Sequence, residues 1–410
     1  MSCHLRGYGD MEQQIESLVL ENFACQDQDK FSFVDEELKT RKASHRLRTL
    51  TPVIPISATE VEISGKRMIS FASNDYLGLS KHPFLKERAI EYIMRYGTGS
   101  TASRLVCGTY DCMEALETKL AIMSDTERAL VLPSGFQTNV SLLPALASRN
   151  SLIVSDELNH ASIVIGCRLA RCAVEIFPHN NYEALERILA NRRNQFDRTI
   201  VVTESVFSMD GDCADIPRLV DIARKFSAIL VIDEAHAVGV MGPNGMGLSV
   251  EQGVDIIMGT FSKALGASGA YLACSRKMAD YLINCCSGFI YSTALPPAVI
   301  GAIDAALDML PTMDKTREEL QQKAIFVRKS LNGLGFNTGR STTHIIPVIV
   351  GDERSALDLS NHLRSCGVFA LAFRPPTVAP GTSRIRVSLS AAHSWEEIEK
   401  LVEAFSSWVK

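Results

Sequence analysis

The apolar positions of this chain fall into three successive patterns. Over residues 11 to 50 they recur at helical spacing among charged neighbours (Ile15, Leu18, Val19), predicting a helical segment with a basic stretch from Lys39 to Arg48. A short β-like segment follows from Pro52 to Ser64, and Gly65-Lys66 predicts a hairpin turn into Arg67 to Phe71. From about Ser73 to Pro297, short unbroken apolar runs alternate with helical stretches such as Ile216–Phe226. The runs Ala129–Leu132, Leu152–Val154, Thr199–Val202, Ala228–Ile232 and Ile256–Met258 predict parallel strands, because a strand covered on both faces carries no polar alternation. Beyond about residue 298 the character changes. A long helical stretch from Pro297 to about Leu334 precedes a strand (His344–Val350), a helix (Ala356–Ser365), two strands (Val368–Ala372 and Arg384–Leu389) and a helix (Ser394–Lys410).

The alternation predicts an α/β protein, with a large doubly wound domain over 71–297 built on a mostly parallel sheet. A smaller α+β domain is expected over 298–410, and an N-terminal helical segment and hairpin over 1–70. A chain of 410 residues is too long for one simple core, which agrees with this division.

Charge and cysteine content narrow the function classes. The formal net charge is -5, with Lys and Arg spread along the chain, so nothing favours nucleic-acid binding. No apolar run reaches the roughly 18–20 residues that span a bilayer. The first residues, Met1 to Arg6, lack the apolar core of a signal peptide. The 11 cysteines include no CxxC pair, so neither a metal site nor a disulfide framework is expected, and a reducing cytoplasm is.

In a doubly wound sheet, ligands sit at the carboxyl ends of the strands. Four such ends carry polar groups. Ser134-Gly135-Phe136 is either an anion-binding turn at a helix N-terminus or a plain tight turn. Asp233-Glu234-Ala235-His236 places a carboxylate at a buried strand end, where it needs a cationic partner such as a protonated pyridine nitrogen, unless it only caps a helix. In Gly259 to Gly266, Lys263 is flanked by small and apolar residues that disfavour its charged form, while Thr260 and Ser262 offer hydroxyls to a phosphate; a surface lysine is the plain alternative. Asn159-His160 offers a ring for stacking or proton transfer, or a helix-capping Asn beside a satisfied His. An acid and a lysine on nearby strand ends are the pair that pyridoxal phosphate (PLP) chemistry needs.

At these residues the sequence resembles the α-oxoamine synthases, a branch of the fold-type I, aspartate aminotransferase-like PLP enzymes. The resemblance runs from about Leu38 to the C-terminus. It rests on Ser73 to Leu79 (SNDYLGL), Gly97 to Gly108 (GTGSTASRLVCG), Ser134-Gly135-Phe136, Asp156 to Ser162 (DELNHAS), Thr203 to Asp212 (TESVFSMDGD), Asp233 to His236, Thr260 to Gly266 and Ser292 to Pro297. Arg374 to Val378, Pro380 to Thr382, Arg384-Ile385-Arg386 and Ala391 to His393 look most like the 8-amino-7-oxononanoate synthase branch, which serves biotin synthesis. Met113 departs from the pattern, standing where many relatives carry a histidine, and Met1 to Asp29 has no counterpart in it.

The resemblance implies roles. Lys263 would hold PLP as a Schiff base and move protons at the substrate α-carbon. Asp233 would pair with the pyridine nitrogen, and His160 would stack on the ring. His236 and Ser208 would hold the ring hydroxyl and its surroundings. Gly135, Phe136 and Thr260 would cradle the phosphate, with Ser292 and Thr293 supplied by the second subunit of a homodimer. Asn74 and Arg374 would meet the amino-acid carboxylate, and Arg48 and Thr377 the substrate. The implied reaction is a decarboxylating condensation of L-alanine with a pimeloyl thioester of CoA or acyl carrier protein. The 2-amino-3-ketobutyrate CoA ligase reaction, glycine with acetyl-CoA, is the alternative, favoured by Cys107-Gly108-Thr109 with Asp111.

Overall fold

The structure is a computed structural model, and it describes residues 30–409. Ile15, Leu18 and Val19 of the expected N-terminal helix lie outside the described residues. The chain divides into two compact units, one ending at Leu50 and the other spanning Thr51–Lys410. In the first, a helix covers Ser32–Ala43 and buries none of its residues. Glu37 and Arg41, one turn apart, form an ion pair at 2.6 Å on it. The helix stops well before residue 50, because His45 takes a left-handed conformation (φ 55°) that ends the repeat.

The second unit opens with three short strands, β1 (Ile54–Pro55), β2 (Glu60–Ile63) and β3 (Lys66–Ser70). The turn between β2 and β3 is Ser64-Gly65, one residue earlier than expected. Both residues have positive φ (52° and 74°), the backbone twist a two-residue hairpin requires.

Seven strands form the central sheet: β4 (Arg128–Leu132), β5 (Ser151–Asp156), β6 (Ala173–Phe177), β7 (Arg198–Glu204), β8 (Ile229–Asp233), β9 (Ile256–Thr260) and β10 (Ala270–Cys274). Their order is β4-β10-β9-β8-β7-β5-β6. The five apolar runs read from the sequence all became strands of this sheet. β6 was missed because its Ala173–Phe177 pattern is mixed, with Glu175 inside it, as befits an edge strand. β10 is the antiparallel member, between β4 and β9.

Alternate residues of these strands feed two cores. Ile153, Ile200, Val202, Val231 and Met258 face the helices Gly135–Leu146, Ala161–Leu169 and Arg276–Cys285. Leu152, Val201, Leu230, Ile232 and Ile257 face the other side, with residues of helices Tyr182–Arg192, Ile216–Lys225 and Pro297–Met309. Each fully buried Leu, Ile or Val contributes about 1.5–3 kcal/mol, so this double cover holds the strand ends in place.

The long helical stretch expected from Pro297 to Leu334 is two helices, Pro297–Met309 and Asp314–Gly333, parted by a short turn at Leu310–Thr312. Pro311 in that turn cannot continue an α-helix. A three-stranded antiparallel sheet follows, ordered β11 (Ile345–Gly351), β14 (Ser383–Ser388), β13 (Leu371–Phe373). The single strand expected over Val368–Ala372 is split. Its first half, β12 (Val368–Phe369), pairs in parallel with β3, and its second half is β13. Helices Glu353–Ser365 and Trp395–Val409 complete this region. Among the described residues no helix is long and apolar enough to cross a membrane.

Candidate active site

β4 and β9 both run antiparallel to β10, so they run parallel to each other and, through β8, to β7 and β5. With β6 parallel to β5, six carboxyl ends therefore open on one edge of the sheet, and the polar residues after them share that edge.

Asp233 ends β8 and is buried. Its Oδ1 accepts the Ala235 N–H (2.8 Å), and its Oδ2 accepts from Asn139 Nδ2 (2.8 Å) on the helix Gly135–Leu146. A turn and not a helix follows Asp233, so the expected helix cap is absent and the carboxylate closes a turn instead. Beside it in register, Glu204 ends β7 and is 2% exposed. Its Oε1 accepts the His160 N–H (2.6 Å). Burial pushes the Glu204 carboxyl up to about 8, the Asp233 charge adds to this, and Lys263 opposes it.

Lys263 stands in the turn after β9. Burial pulls its ammonium down to about 8, against the opposing pull of Asp233 and Glu204, with the Arg386 cation lowering it further. A lysine in that range carries a usable share of free amine near neutral pH.

His160, not Asn159, caps the helix Ala161–Leu169: its Nδ1 accepts the Ser162 N–H (3.2 Å) and lies 2.7 Å from Ser162 Oγ. Asn159 is buried instead, donating to Ser155 Oγ and the Val202 carbonyl. The His160 residue itself keeps part of its surface open to solvent. Loss of solvent lowers its pKa, Asp233 opposes this, and Lys263 adds to it.

A second group surrounds His236, which is buried and held well below its usual pKa by burial first and by the Lys263 and Arg386 charges next. Tyr76 Oη lies 2.7 Å from His236 Nδ1 and 3.0 Å from Asn74 Oδ1, which accepts its proton. Arg386, from β14, donates to Asn74 Oδ1 (2.9 Å), to Tyr76 Oη (3.1 Å) and to the Ser208 carbonyl (2.6 Å). Asn74, Ser208 and His236, expected at the site, are therefore brought together by an arginine.

At the β4 end, Ser134 caps the helix Gly135–Leu146 by accepting the Gln137 N–H (3.2 Å), which leaves the first N–H groups of that helix pointing outward. A Cβ on Gly135 would lie 3.8 Å from Thr260 Oγ1, so this helix end adjoins the β9 end. Phe136 is exposed. Thr260 spends its proton on the Gly269 carbonyl (2.9 Å) and lies 2.9 Å from the exposed Ser262 Oγ. Ser292 accepts from Gln137 Nε2 on the same helix, and Thr293 bridges to Ser103. Arg374 and Thr377 stand on the loop after β13, closed by the Thr377 N–H to the Arg374 carbonyl (3.1 Å). Arg48 lies in the first unit. Met113 is 2% exposed and packs in the larger core.

Sequence reading passed over Asn139, Glu204, Tyr76 and Arg386 as site residues. Glu204 was within reach, since it ends an apolar strand as Asp233 does. Asn139 sits mid-helix with no local signal, and Arg386 stood within the Arg384-Ile385-Arg386 motif of the resemblance but was given no role there.

The donor set fits PLP. An aldehyde, a basic ring nitrogen and a phosphate would meet, on one sheet edge, a part-neutral amine, a buried carboxylate and a helix N-terminus flanked by hydroxyls. Comparison with known proteins points the same way. The aminotransferase class I and II family matches residues 66–405. A Desulfosudis oleivorans relative, named provisionally as an 8-amino-7-oxononanoate synthase, is 53% identical over 380 residues, covering 92% of this chain and 99% of that one. The Gluconacetobacter diazotrophicus 8-amino-7-oxononanoate synthase is 49% identical, covering 88% and 92%. Among solved structures, a serine palmitoyltransferase with PLP has a TM-score of 0.86 at 28% identity, covering 93% of this chain and 98% of that one. This chain belongs to the aminotransferase class I and II family and, within it, to the α-oxoamine synthases, PLP-dependent acyl-transferring enzymes of fold type I.

Proposed function

We propose that the chain condenses L-alanine with a pimeloyl thioester, forming 8-amino-7-oxononanoate and releasing carbon dioxide and the free thiol. The observation that carries this reading is relatives of that name at 49–53% identity over about nine-tenths of the chain. PLP, when bound, supplies an electron sink for the carbanion at the amino acid's α-carbon.

The chain's own residues supply the rest. Lys263 would hold the cofactor, and its free amine would remove the substrate's α-proton. Its lowered pKa places it between the two states such a base must visit. Asp233 offers a fixed carboxylate to the ring nitrogen, since both its oxygens are already oriented by N–H donors. Arg386 and Asn74 take the amino-acid carboxylate, with Arg374 a second arginine on the loop before β14. His236 and Ser208 flank the ring hydroxyl, and the Gly135 helix end with Phe136 takes the phosphate, which Thr260 joins by turning its hydroxyl away from the Gly269 carbonyl. Ser292 and Thr293 of a second copy complete the phosphate site in a homodimer, and Arg48 and Thr377 serve the acyl substrate.

The test is PLP-loaded protein with L-alanine and pimeloyl-CoA or pimeloyl acyl carrier protein, followed by thiol release and mass detection of the amino-ketone. Glycine with acetyl-CoA and serine with palmitoyl-CoA run alongside. Product from the alanine pair is expected. Product only from another pair would replace this substrate assignment and leave the condensation chemistry in place.

A further inference from the structure

Four residues on three different segments form one continuous string beneath the site. Asn139 Nδ2 donates one proton to Asp233 Oδ2 (2.8 Å) and the other to Ser162 Oγ (3.0 Å). Ser162 Oγ lies 2.7 Å from His160 Nδ1, and the Ser162 backbone N–H points at the same nitrogen (3.2 Å). Asn139 is 3% exposed, Asp233 5% and Ser162 0%, so water does not substitute for these partners.

The direction of every proton in the string is fixed by its ends. A carboxylate oxygen at 2.8 Å demands a donor, so the Asn139 amide presents nitrogen there; its carbonyl oxygen in that place would set two acceptors against each other. The second amide proton then occupies a lone pair of Ser162 Oγ, and the hydroxyl proton is left to donate to His160 Nδ1. With two protons aimed at Nδ1, that nitrogen is an acceptor.

We propose, on the reading of Asp233 and His160 given above, that Asn139 and Ser162 are positioning residues that lock His160 as the neutral tautomer protonated at Nε2. The string ties the His160 tautomer to the carboxylate expected at the cofactor's ring nitrogen. His160 then offers a donor, not an acceptor, at its outer nitrogen. The charged and titratable groups around it act in the same frame: Lys263 disfavours a second proton, Asp233 favours one, and Glu204 is engaged with the His160 backbone N–H rather than the ring.

The experiment is nitrogen NMR of holoprotein labelled with 15N in the histidine rings, with His160 assigned by its loss in His160→Gln. Wild type is expected to show a protonated Nε2 and a bare Nδ1 at neutral pH. Asn139→Ala and Ser162→Ala break the string at two separate points. Both are expected to raise the pH at which the ring takes a second proton and to shift the Nδ1 signal, since only the Ser162 backbone N–H then remains aimed at that nitrogen. Ser162→Ala removes one oxygen from a tight site, so it serves as the folded variant if Asn139→Ala does not accumulate. A wild-type His160 protonated at Nδ1, or variants with an unchanged ring signal and midpoint, would overturn the proposal. Absence of any absorbance change on adding PLP would count against the cofactor role of this site instead, and the His160 signals would still decide the string.

Discussion

Lys263 illustrates how little a residue's chemistry resides in the residue. The same amine on the surface would stay charged near neutral pH. Behind β9, burial brings it down to about 8. Lys263→Ala is expected to abolish turnover while the protein stays folded, and dialysed protein should lose its yellow PLP colour; retained condensation activity would refute the assigned role. Asp233→Ala strands the Asn139 and Ala235 donors in a buried place, at a cost of about 1–3 kcal/mol each. Denaturant unfolding should show that loss as a lowered midpoint, and turnover should fall as well.

Elements are joined at the site by a polar clamp and a close backbone approach. His179, after β6, donates to Asp156 Oδ1 (2.9 Å) at the end of β5 and to Asp212 Oδ2 (2.8 Å) in the loop that carries Ser208. Although burial disfavours its charge, the two carboxylates raise its pKa to about 10. A group raised in the folded state stabilises fully below its unfolded value near 6.5, and the contribution fades as pH rises through about 10. The thermal midpoint of wild type should therefore fall between pH 7 and 10. In His179→Gln the midpoint should be lower at pH 7, and that part of the slope should be missing. The loop is also docked through Gly211 (φ 68°), where a Cβ would lie 1.9 Å from the Ile345 carbonyl oxygen. Gly211→Ala is expected to destabilise the protein by more than about 2 kcal/mol by backbone clash, measured as a shift in the unfolding midpoint.

For the whole molecule, a ligand that binds only the folded chain raises stability with its concentration, by about 2.7 kcal/mol at a hundredfold excess over Kd. The melting temperature should climb with added PLP in wild type and less so in Lys263→Ala. Light scattering should give about twice the 44.9 kDa chain mass if the proposed homodimer forms.

Much of this protein was legible in its sequence. Buried strands must be apolar throughout, so β4, β5, β7, β8 and β9 announced themselves. The polar residue after each run marked a strand end, which is how Asp233, Lys263, His160 and Gly135 were found. Periodicity carries no information about partners far along the chain. The helix break at Pro311 was a local signal passed over. Only the tertiary structure could split residues 368–372 between two sheets and carry Arg386 from β14 to Asn74 and Tyr76. Asn139 belongs to the same class: its helix position is ordinary, and its two protons acquire meaning only where β8 and the His160 helix meet it.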